Sequence, residues 1–314
     1  MPASADGCGA GAPLRVALFV EDEGGDWHAR RLTRAIEARG AVVVTTALCR
    51  CAFDTRAPSG LDIPGFDGGL PGGAFVRSVS AGGLEQITLR LGILHALEAS
   101  AVTVWNNARA IERCVDKSTA TWRFRHAGLP TPPTRTVEGL VAAEAGRAGR
   151  GTMVLKPLFG SQGNGVRRIA PDAPLPPAEA VGGVYYLQEY QRGPDAERFE
   201  DWRVLVSRGR VLAAMTRRGR TWITNVHQGA EPAPHEPDAE MSDLALRAAA
   251  AVGADYAGVD LIRGLDGRLG VLEINSNPAW KGLQSVTGRD IAAALAEDFM
   301  AAVRERLAAG STSG

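Results

Sequence analysis

Between Gly258 and Pro278 the chain carries two short apolar runs, Gly258-Val259-Asp260-Leu261-Ile262 and Val271-Leu272-Glu273-Ile274-Asn275, with the turn Gly264-Leu265-Asp266-Gly267 between them. Two strands joined by such a turn lie antiparallel and side by side, so Asp260 comes opposite Glu273. Alternation keeps Glu273 and Asn275 on one face. A hairpin with solvated charges is the plain reading. It fits poorly, because both acids sit inside otherwise apolar strands, where a lone carboxylate is costly to bury. Three oxygen ligands converging on a cation resolve that cost. Magnesium accepts such a set at about 2.0–2.1 Å, using one or two carboxylates together with waters and nucleotide phosphates. No imidazole is needed, and the five histidines show no ligand spacing.

At 314 residues the chain suits two or three closely associated domains rather than one core. Lys+Arg and Asp+Glu each number 35, so no global field holds it on nucleic acid or an anionic membrane. Bound anions must therefore be held by local groups. Residues 1–13 read as a flexible N-terminus without a signal peptide, and no 18-residue apolar stretch suggests a membrane span. Cys8, Cys49, Cys51 and Cys114 form neither CxxC pairs nor a disulfide ladder, which fits a reducing, cytoplasmic setting. Cys49 and Cys51 share a strand face by alternation, which chance explains better than metal binding.

The first third alternates strand and helix. Leu14–Val20 is an apolar run, Trp27–Arg39 has helical spacing closed by Gly40, Ala41–Leu48 is a second strand, Ile87–Ala99 a helix and Val102–Trp105 a strand ending at Asn106-Asn107. This order predicts an open parallel sheet, with the Gly/Pro-rich stretch Pro58–Gly73 as a surface loop. Gly24-Gly25 lacks the GxGxxG spacing and follows Glu21-Asp22-Glu23, whose carboxylates would repel a pyrophosphate, so a dinucleotide fold is rejected. Arg109–Ala127 reads as one helix, stopped by Gly128 and followed by a linker with Pro130, Pro132 and Pro133. Beyond it come strands at Met153–Pro157, Val166–Ile169, Val184–Tyr190, Trp202–Ser207, Val211–Arg217, Gly258–Arg263 and Gly270–Asn275, with helices at Met241–Val252 and Asp290–Arg306. The second part is thus mixed α+β with antiparallel hairpins.

Lys156 closes the apolar strand Val154-Leu155-Lys156-Pro157 just before the loop Phe159–Gly165, which contains Ser161 and Gly163. Glycine-rich backbone can turn N–H groups toward phosphate oxygens beside an ammonium, although most such loops are only turns and the spacing is not that of a P-loop. Leu187-Gln188-Glu189-Tyr190 ends a strand and reads equally as a polar edge or as a nucleotide hinge. Arg203, Arg217 and Asn225 read as surface groups by default. Arg203 alternates with apolar residues, which points it toward a cleft.

Taken in order, these words resemble the ATP-grasp superfamily, in particular the RimK-type α-L-glutamate ligases. The resemblance runs from about Trp105 to Ala294. It is carried by Asn107-Ala108-Arg109-Ala110-Ile111 with Asp116-Lys117, by Val154–Pro157, Gln188-Glu189-Tyr190 and Asp201-Trp202-Arg203, and by Leu272–Asn275 running on to Lys281-Gly282-Leu283 and Thr287-Gly288. It implies an α/β plus α+β chain: an ATP-grasp fold behind an N-terminal open parallel-sheet (pre-ATP-grasp) domain. The implied units are residues 14–113 for that domain, 114–188 for a central subdomain with the glycine-rich lid, 189–307 for a C-terminal subdomain and 308–314 for a flexible tail. It also implies that Lys117 and Lys156 contact ATP phosphates, with Ser161 and Gly163 in the lid, and that Gln188, Glu189 and Tyr190 follow adenine and ribose. Asp260, Glu273 and Asn275 would hold two Mg2+ ions, with Mn2+ as a substitute. Arg203, Arg217 and Asn225 would face the acyl phosphate and its carboxylate substrate. Where the family usually has a Gly-Asp-Phe-type segment and a Gly-Gly after Asn-x-His, this chain has Arg220-Thr221-Trp222 and Gly229-Ala230, which affects the amino-acid pocket.

The implied reaction joins an amino acid, L-glutamate, to a small-molecule acid acceptor such as a pterin, by way of an acyl phosphate that the lid shields from water. A peptide or protein C-terminus is the alternative acceptor. A small-molecule kinase that stops at phosphoryl transfer and a nucleotide-binding module without turnover are the rivals from other classes. Neither nucleic acid nor membrane is expected as a partner, and association of identical chains is left open.

Overall fold

A computed structural model describes residues 13–21, 26–160, 163–191 and 199–311. In chain order its elements are β1 (Leu14–Phe19), α1 (Trp27–Glu37), β2 (Ala41–Thr46), β3 (Ala52–Phe53), β4 (Leu61–Asp62), β5 (Gly73–Val76), α2 (Leu84–Ala99), β6 (Thr103–Trp105), α3 (Ala108–Val115) and α4 (Lys117–His126). There follow β7 (Thr134–Glu138), α5 (Leu140–Arg147), β8 (Met153–Lys156), β9 (Arg167–Ile169), β10 (Val184–Glu189), β11 (Phe199–Ser207), β12 (Arg210–Gly219), β13 (Glu231–His235), α6 (Ala239–Val252), β14 (Tyr256–Arg263), β15 (Leu269–Asn275), α7 (Lys281–Gln284) and α8 (Ile291–Ser311).

Three sheets organise the chain. The first has the order β2-β1-β5-β6, with every neighbour parallel, as the alternating strand–helix pattern predicts. A parallel sheet must be covered on both faces. One face carries Ala17, Phe19, Ala74 and Val76 against Ile93, Leu94 and Leu97 of α2. The other carries Val16, Leu18, Phe75 and Trp105 against Leu32 and Ile36 of α1 and, from the far end of the chain, Leu295, Phe299, Met300 and Val303 of α8. The same cluster takes in Leu205, Met215 and Tyr256 of the third sheet, so α8 lies in one core that joins the N-terminal and C-terminal parts. The helix also continues through residues 308–311, the start of the segment that the sequence suggests as a tail.

The second sheet runs β7-β10-β8-β9 and the third β13-β12-β11-β14-β15, both antiparallel. Helix α6 packs Met241, Leu244, Ala245 and Ala248 against Trp202, Val204, Val259 and Leu261, covering the back of the third sheet; its other face joins the α8 core at Leu205, Met215 and Tyr256 and faces the cleft beyond them. The α/β plus α+β composition expected from the sequence is the one observed, and no described helix is long and apolar enough to cross a membrane.

One contact across this assembly has a pH signature. Asp255, at the start of β14, accepts hydrogen bonds from the backbone N (3.1 Å) and Nδ2 (3.3 Å) of Asn107. Burial nonetheless raises its carboxyl to about 6, the Asn107 hydrogen bonds working against the rise. The folded chain therefore favours the protonated acid. This contribution to stability is complete below about pH 4, the unfolded value, and is lost as pH rises through 6. Asp255→Asn is expected to raise thermal stability at pH 7.5, by up to about 3 kcal/mol, and to change little at pH 4; melting curves at the two pH values check this.

Candidate active site

The cleft lies between the second and third sheets. Its third-sheet wall is the hairpin that the sequence singles out. Asp260 pairs directly with Glu273 and Gly258 with Asn275. The register then shifts: Leu261 pairs with Val271, leaving Leu272 as an extra residue. This bulge has a purpose that the pattern explains. Val271 and Ile274 are three apart, yet both reach the same core cluster, and the inserted Leu272 lets Glu273 and Asn275 turn to the opposite, cleft side.

Asp260 is held on its other flank by Arg203, whose Nε and Nη2 donate to its two oxygens at 2.7 Å each. Arg217 reaches the same carboxylate at 3.0 Å and is bidentate on Asp201, which also accepts from the Thr224 hydroxyl. Two buried carboxylates and two arginines thus form a neutral cluster in which each charge has a partner. Burial works to raise the Asp260 carboxyl, but the guanidiniums of Arg203 and Arg217 outweigh it and hold the group below the usual carboxylate range. For Asp201 burial prevails over Arg217, and its carboxyl lies above that range. Gly258 makes the close packing possible: a Cβ there would stand 2.8 Å from Cβ of Pro278 and 3.6 Å from Nε of Arg203.

The opposite wall carries the lysines. Lys156, at the end of β8, is 7% exposed and donates to Oε1 of Gln188 at 2.7 Å, while Nε2 of Gln188 donates to Thr134 and Tyr186. Lys117 opens α4, because Asp116 caps that helix by accepting from the backbone N of Ser118 and Thr119. The single helix expected over Arg109–Ala127 is accordingly two, α3 and α4, broken at Asp116. From this first turn Nζ of Lys117 donates to the carbonyl of Gly160 at 2.8 Å, tying α4 to the start of the glycine-rich loop.

Lys117, Lys156, Glu273 and Tyr186 line one recess, floored by Cys114, Ala120, Phe124 and Ile274. Burial lowers the pKa of both ammonium groups, and the carboxylate of Glu273 opposes that fall in each case. Half-buried Glu273 has no hydrogen-bond donor among the described residues, and Nδ2 of Asn275 is buried without a partner. Of the three candidate oxygen donors, Glu273 lines the lysine recess; Asp260 is its direct partner across the strands, with both oxygens engaged by Arg203, and Asn275 lies two residues further along β15. Among the described residues no three His, Cys, Asp or Glu side chains form a ready-made cage.

The remaining candidates fall around this centre. Glu189 pairs with Arg150 at 2.9 Å, and Tyr190 lies between Arg168, 5.5 Å from its ring centre, and Trp222, edge-on at 5.9 Å. Asn225 uses its Oδ1 locally, accepting from the N of His227 at 2.9 Å. Ser161 lies outside the described residues, as do Gln162 of the same loop and Asp22-Glu23-Gly24-Gly25 of the N-terminal loop. Gly163, at φ +73°, faces the segment after β12: a Cβ there would come within 2.8 Å of Nε2 of Gln228 and 3.3 Å of Ile223. Gly163 is thus seated against the segment that follows β12 of the third sheet. In the sequence Asp201 stands out only as part of the word Asp201-Trp202-Arg203. Its alternation with Arg203 on one strand, opposite Arg217 on the next, is the signal that could have exposed the ion cluster.

A parallel-sheet domain followed by two antiparallel sheets that close on paired lysines and a carboxylate hairpin defines an ATP-grasp enzyme. Residues 144–299 match the model of the RimK-like ATP-grasp domain. The tetrahydromethanopterin:alpha-L-glutamate ligase of Methanococcus maripaludis is 33% identical over 238 residues, spanning 74% of this chain and 80% of that protein. A probable alpha-L-glutamate ligase of Aeromonas salmonicida is 28% identical over 303 residues, 90% of this chain and 95% of the relative. In fold, the ATP-grasp ligase PsnB, solved with a minimal precursor, Mg and ADP, superposes with a TM-score of 0.69 at 22% identity, covering 92% of this chain and 98% of PsnB. The chain belongs to the RimK-like ATP-grasp ligases, the family that the sequence words resemble.

Proposed function

We propose that this ligase joins L-glutamate to a carboxylate-bearing small molecule, with a pterin-type cofactor acid as the leading acceptor, and that the recess of Lys117, Lys156 and Glu273 grips the ATP that drives the reaction. The observation that carries the reading is the meeting, in one recess, of the buried ammonium group of Lys156, the half-buried one of Lys117 and the Glu273 carboxylate, which accepts no hydrogen bond among the described residues and is paired across strands with Asp260. Such a set lacks only the anion and cation that a magnesium–nucleotide pair brings. The relatives named as glutamate ligases support the choice of amino acid, and the methanogen protein supports the acceptor class.

On this reading the acceptor's carboxylate takes the γ-phosphoryl group of ATP, and the amine of glutamate then displaces phosphate from the acyl phosphate to form the amide. Phosphoryl transfer of this kind needs alignment and charge neutralisation rather than a covalent protein nucleophile. Lys117 and Lys156 supply fixed positive charge to the phosphates, which also relieves their own desolvation. Gln188 aims Lys156, and Glu189 and Tyr190 at the end of β10 flank the nucleoside. Magnesium, held by Asp260, Glu273 and Asn275, would neutralise charge on the phosphate oxygens. Arg203 and Arg217 act through their carboxylates: by fixing Asp260 they hold it ionised and aimed, and Nη1 of Arg203, which takes no part in that bidentate pair, is the donor left for the acyl phosphate. The seat of Gly163 on Gln228 and Ile223 gives the lid a landing that keeps water from the intermediate. Asn225 organises that landing by accepting from the backbone N of His227 and Gln228, and Trp222, in the segment where the family's usual residues are replaced, stands edge-on to Tyr190.

ADP release measured against a panel of amino acids and cofactor acids, with mass spectrometry of the product, tests this directly. The expected result is ADP formation that requires both acid and L-glutamate, with a product heavier by one glutamyl residue. ADP formation with the acid alone, yielding a stable phosphorylated product, would replace ligation with kinase chemistry.

A further inference from the structure

The six residues that follow Asn275 are held by side chains from the carboxyl edge of the parallel sheet. Nη1 of Arg77, just beyond β5, donates to the carbonyl of Asn277 at 3.3 Å. Nε2 of His28 accepts from the backbone N of both Trp280 and Lys281 at 3.2 Å, while its Nδ1 donates to Asp26 at 2.9 Å, a set of bonds that requires the Nδ1–H tautomer.

The tightest hold is Asn106, at the end of β6 and 0% exposed. Its Oδ1 accepts from the backbone N of Asp255 (2.6 Å) and of Tyr256 (3.0 Å). Its Nδ2 donates to the carbonyls of Tyr256 (2.7 Å) and Ser276 (2.6 Å). Both donors and both acceptor positions of the amide are therefore used. The β14–β15 ladder has its last pair at Gly258 and Asn275. Beyond that pair the strands are bridged by the Asn106 amide, which takes the place of a backbone peptide between Tyr256 and Ser276. Asn275 itself has a buried Nδ2 with no partner, so no hydrogen bond from that nitrogen fixes where its amide points. Its direction must come from the backbone, and the backbone is held one residue away.

We infer that Asn106 is a positioning residue for the cation site: the N-terminal domain, through this one amide, sets the aim of Asn275 and thereby the affinity for magnesium-bound nucleotide. The inference rests on the reading of Asn275 as a magnesium ligand. Asn106 touches neither nucleotide nor metal in this role. Its removal should affect magnesium-dependent binding and spare the contacts made to nucleotide by Lys117, Lys156 and the end of β10.

Calorimetric titration of ADP into the full-length protein, once with Mg2+ and once with EDTA, separates these effects. In the wild type Mg2+ is expected to tighten ADP binding. In Asn106→Asp, which sets a carboxylate oxygen against two carbonyls, the metal-free affinity should stay within about twofold while the gain from Mg2+ falls by about tenfold or more, the size typical of lost positioning around a metal. Asn106→Ser, small enough for water to replace the amide, should show the same selective loss and serves if the aspartate variant does not fold. A folded variant with a lower melting temperature but the full gain from Mg2+ overturns the proposal, since a merely structural amide would behave in that way. A wild-type protein that gains nothing from Mg2+ overturns the metal reading itself.

Discussion

Glu273→Gln is expected to slow turnover by on the order of a thousandfold while leaving the fold intact. Glutamine keeps the volume and the strand position and removes only the charge. That charge is the main one opposing the desolvation of both Lys117 and Lys156, and it sits opposite Asp260 in the ladder. Glu273 accepts no hydrogen bond among the described residues, so the substitution strands no donor, but it removes the charge that offsets the desolvation of the two lysines; ADP release is therefore to be compared per folded protein, with the melting temperature measured alongside. Turnover within about threefold of wild type would remove Glu273 from the machinery.

The largest effect on stability is expected at Arg217. It is 3% exposed and answers two carboxylates at once. Arg217→Met fills the space but leaves Asp201 and Asp260 facing each other with Arg203 alone, which should cost about 3–5 kcal/mol, the usual penalty for breaking a buried pair. The sign of its pH dependence follows from Asp201, whose carboxyl already lies above the usual range. Without Arg217 it rises further, so protonation relieves the repulsion and the deficit should shrink from pH 8 to pH 5. Denaturant unfolding at the two pH values checks this, and adding Asp201→Asn should recover a large part of the loss at pH 8. A deficit that does not change with pH would mean that the cluster is not held by charge pairing.

The hairpin was the most legible part of the molecule, because burying two acids in apolar strands leaves few arrangements open. The parallel sheet was legible for a similar reason: runs such as Val16–Val20 have no polar face and need cover on both sides. What escaped lay where a single residue does two jobs or where the partner is remote. Asp116 interrupts an otherwise helical run because its carboxylate caps the next helix, and propensity alone does not announce such a break. The strand β13 contains Pro232 and Pro234, which argue against a strand except at an edge, and β13 is an edge strand of its sheet. The bulge at Leu272 and the docking of α8 on the N-terminal sheet depend on tertiary packing, to which local periodicity is blind. The ion cluster was half visible. Arg203 was seen to alternate inward, but its fixed engagement with Asp260 needed the register of three strands.

The central claim is that Asp260, Glu273 and Asn275 hold a divalent cation against the phosphates of a nucleotide resting on Lys117 and Lys156. A crystal of the protein grown with ADP and Mn2+, with anomalous differences collected at the manganese edge, tests it most directly. The account predicts manganese density within about 2.0–2.2 Å of oxygens of Asp260, Glu273 and Asn275 and beside the β-phosphate. Manganese density elsewhere, or a nucleotide bound away from the two lysines, would contradict it.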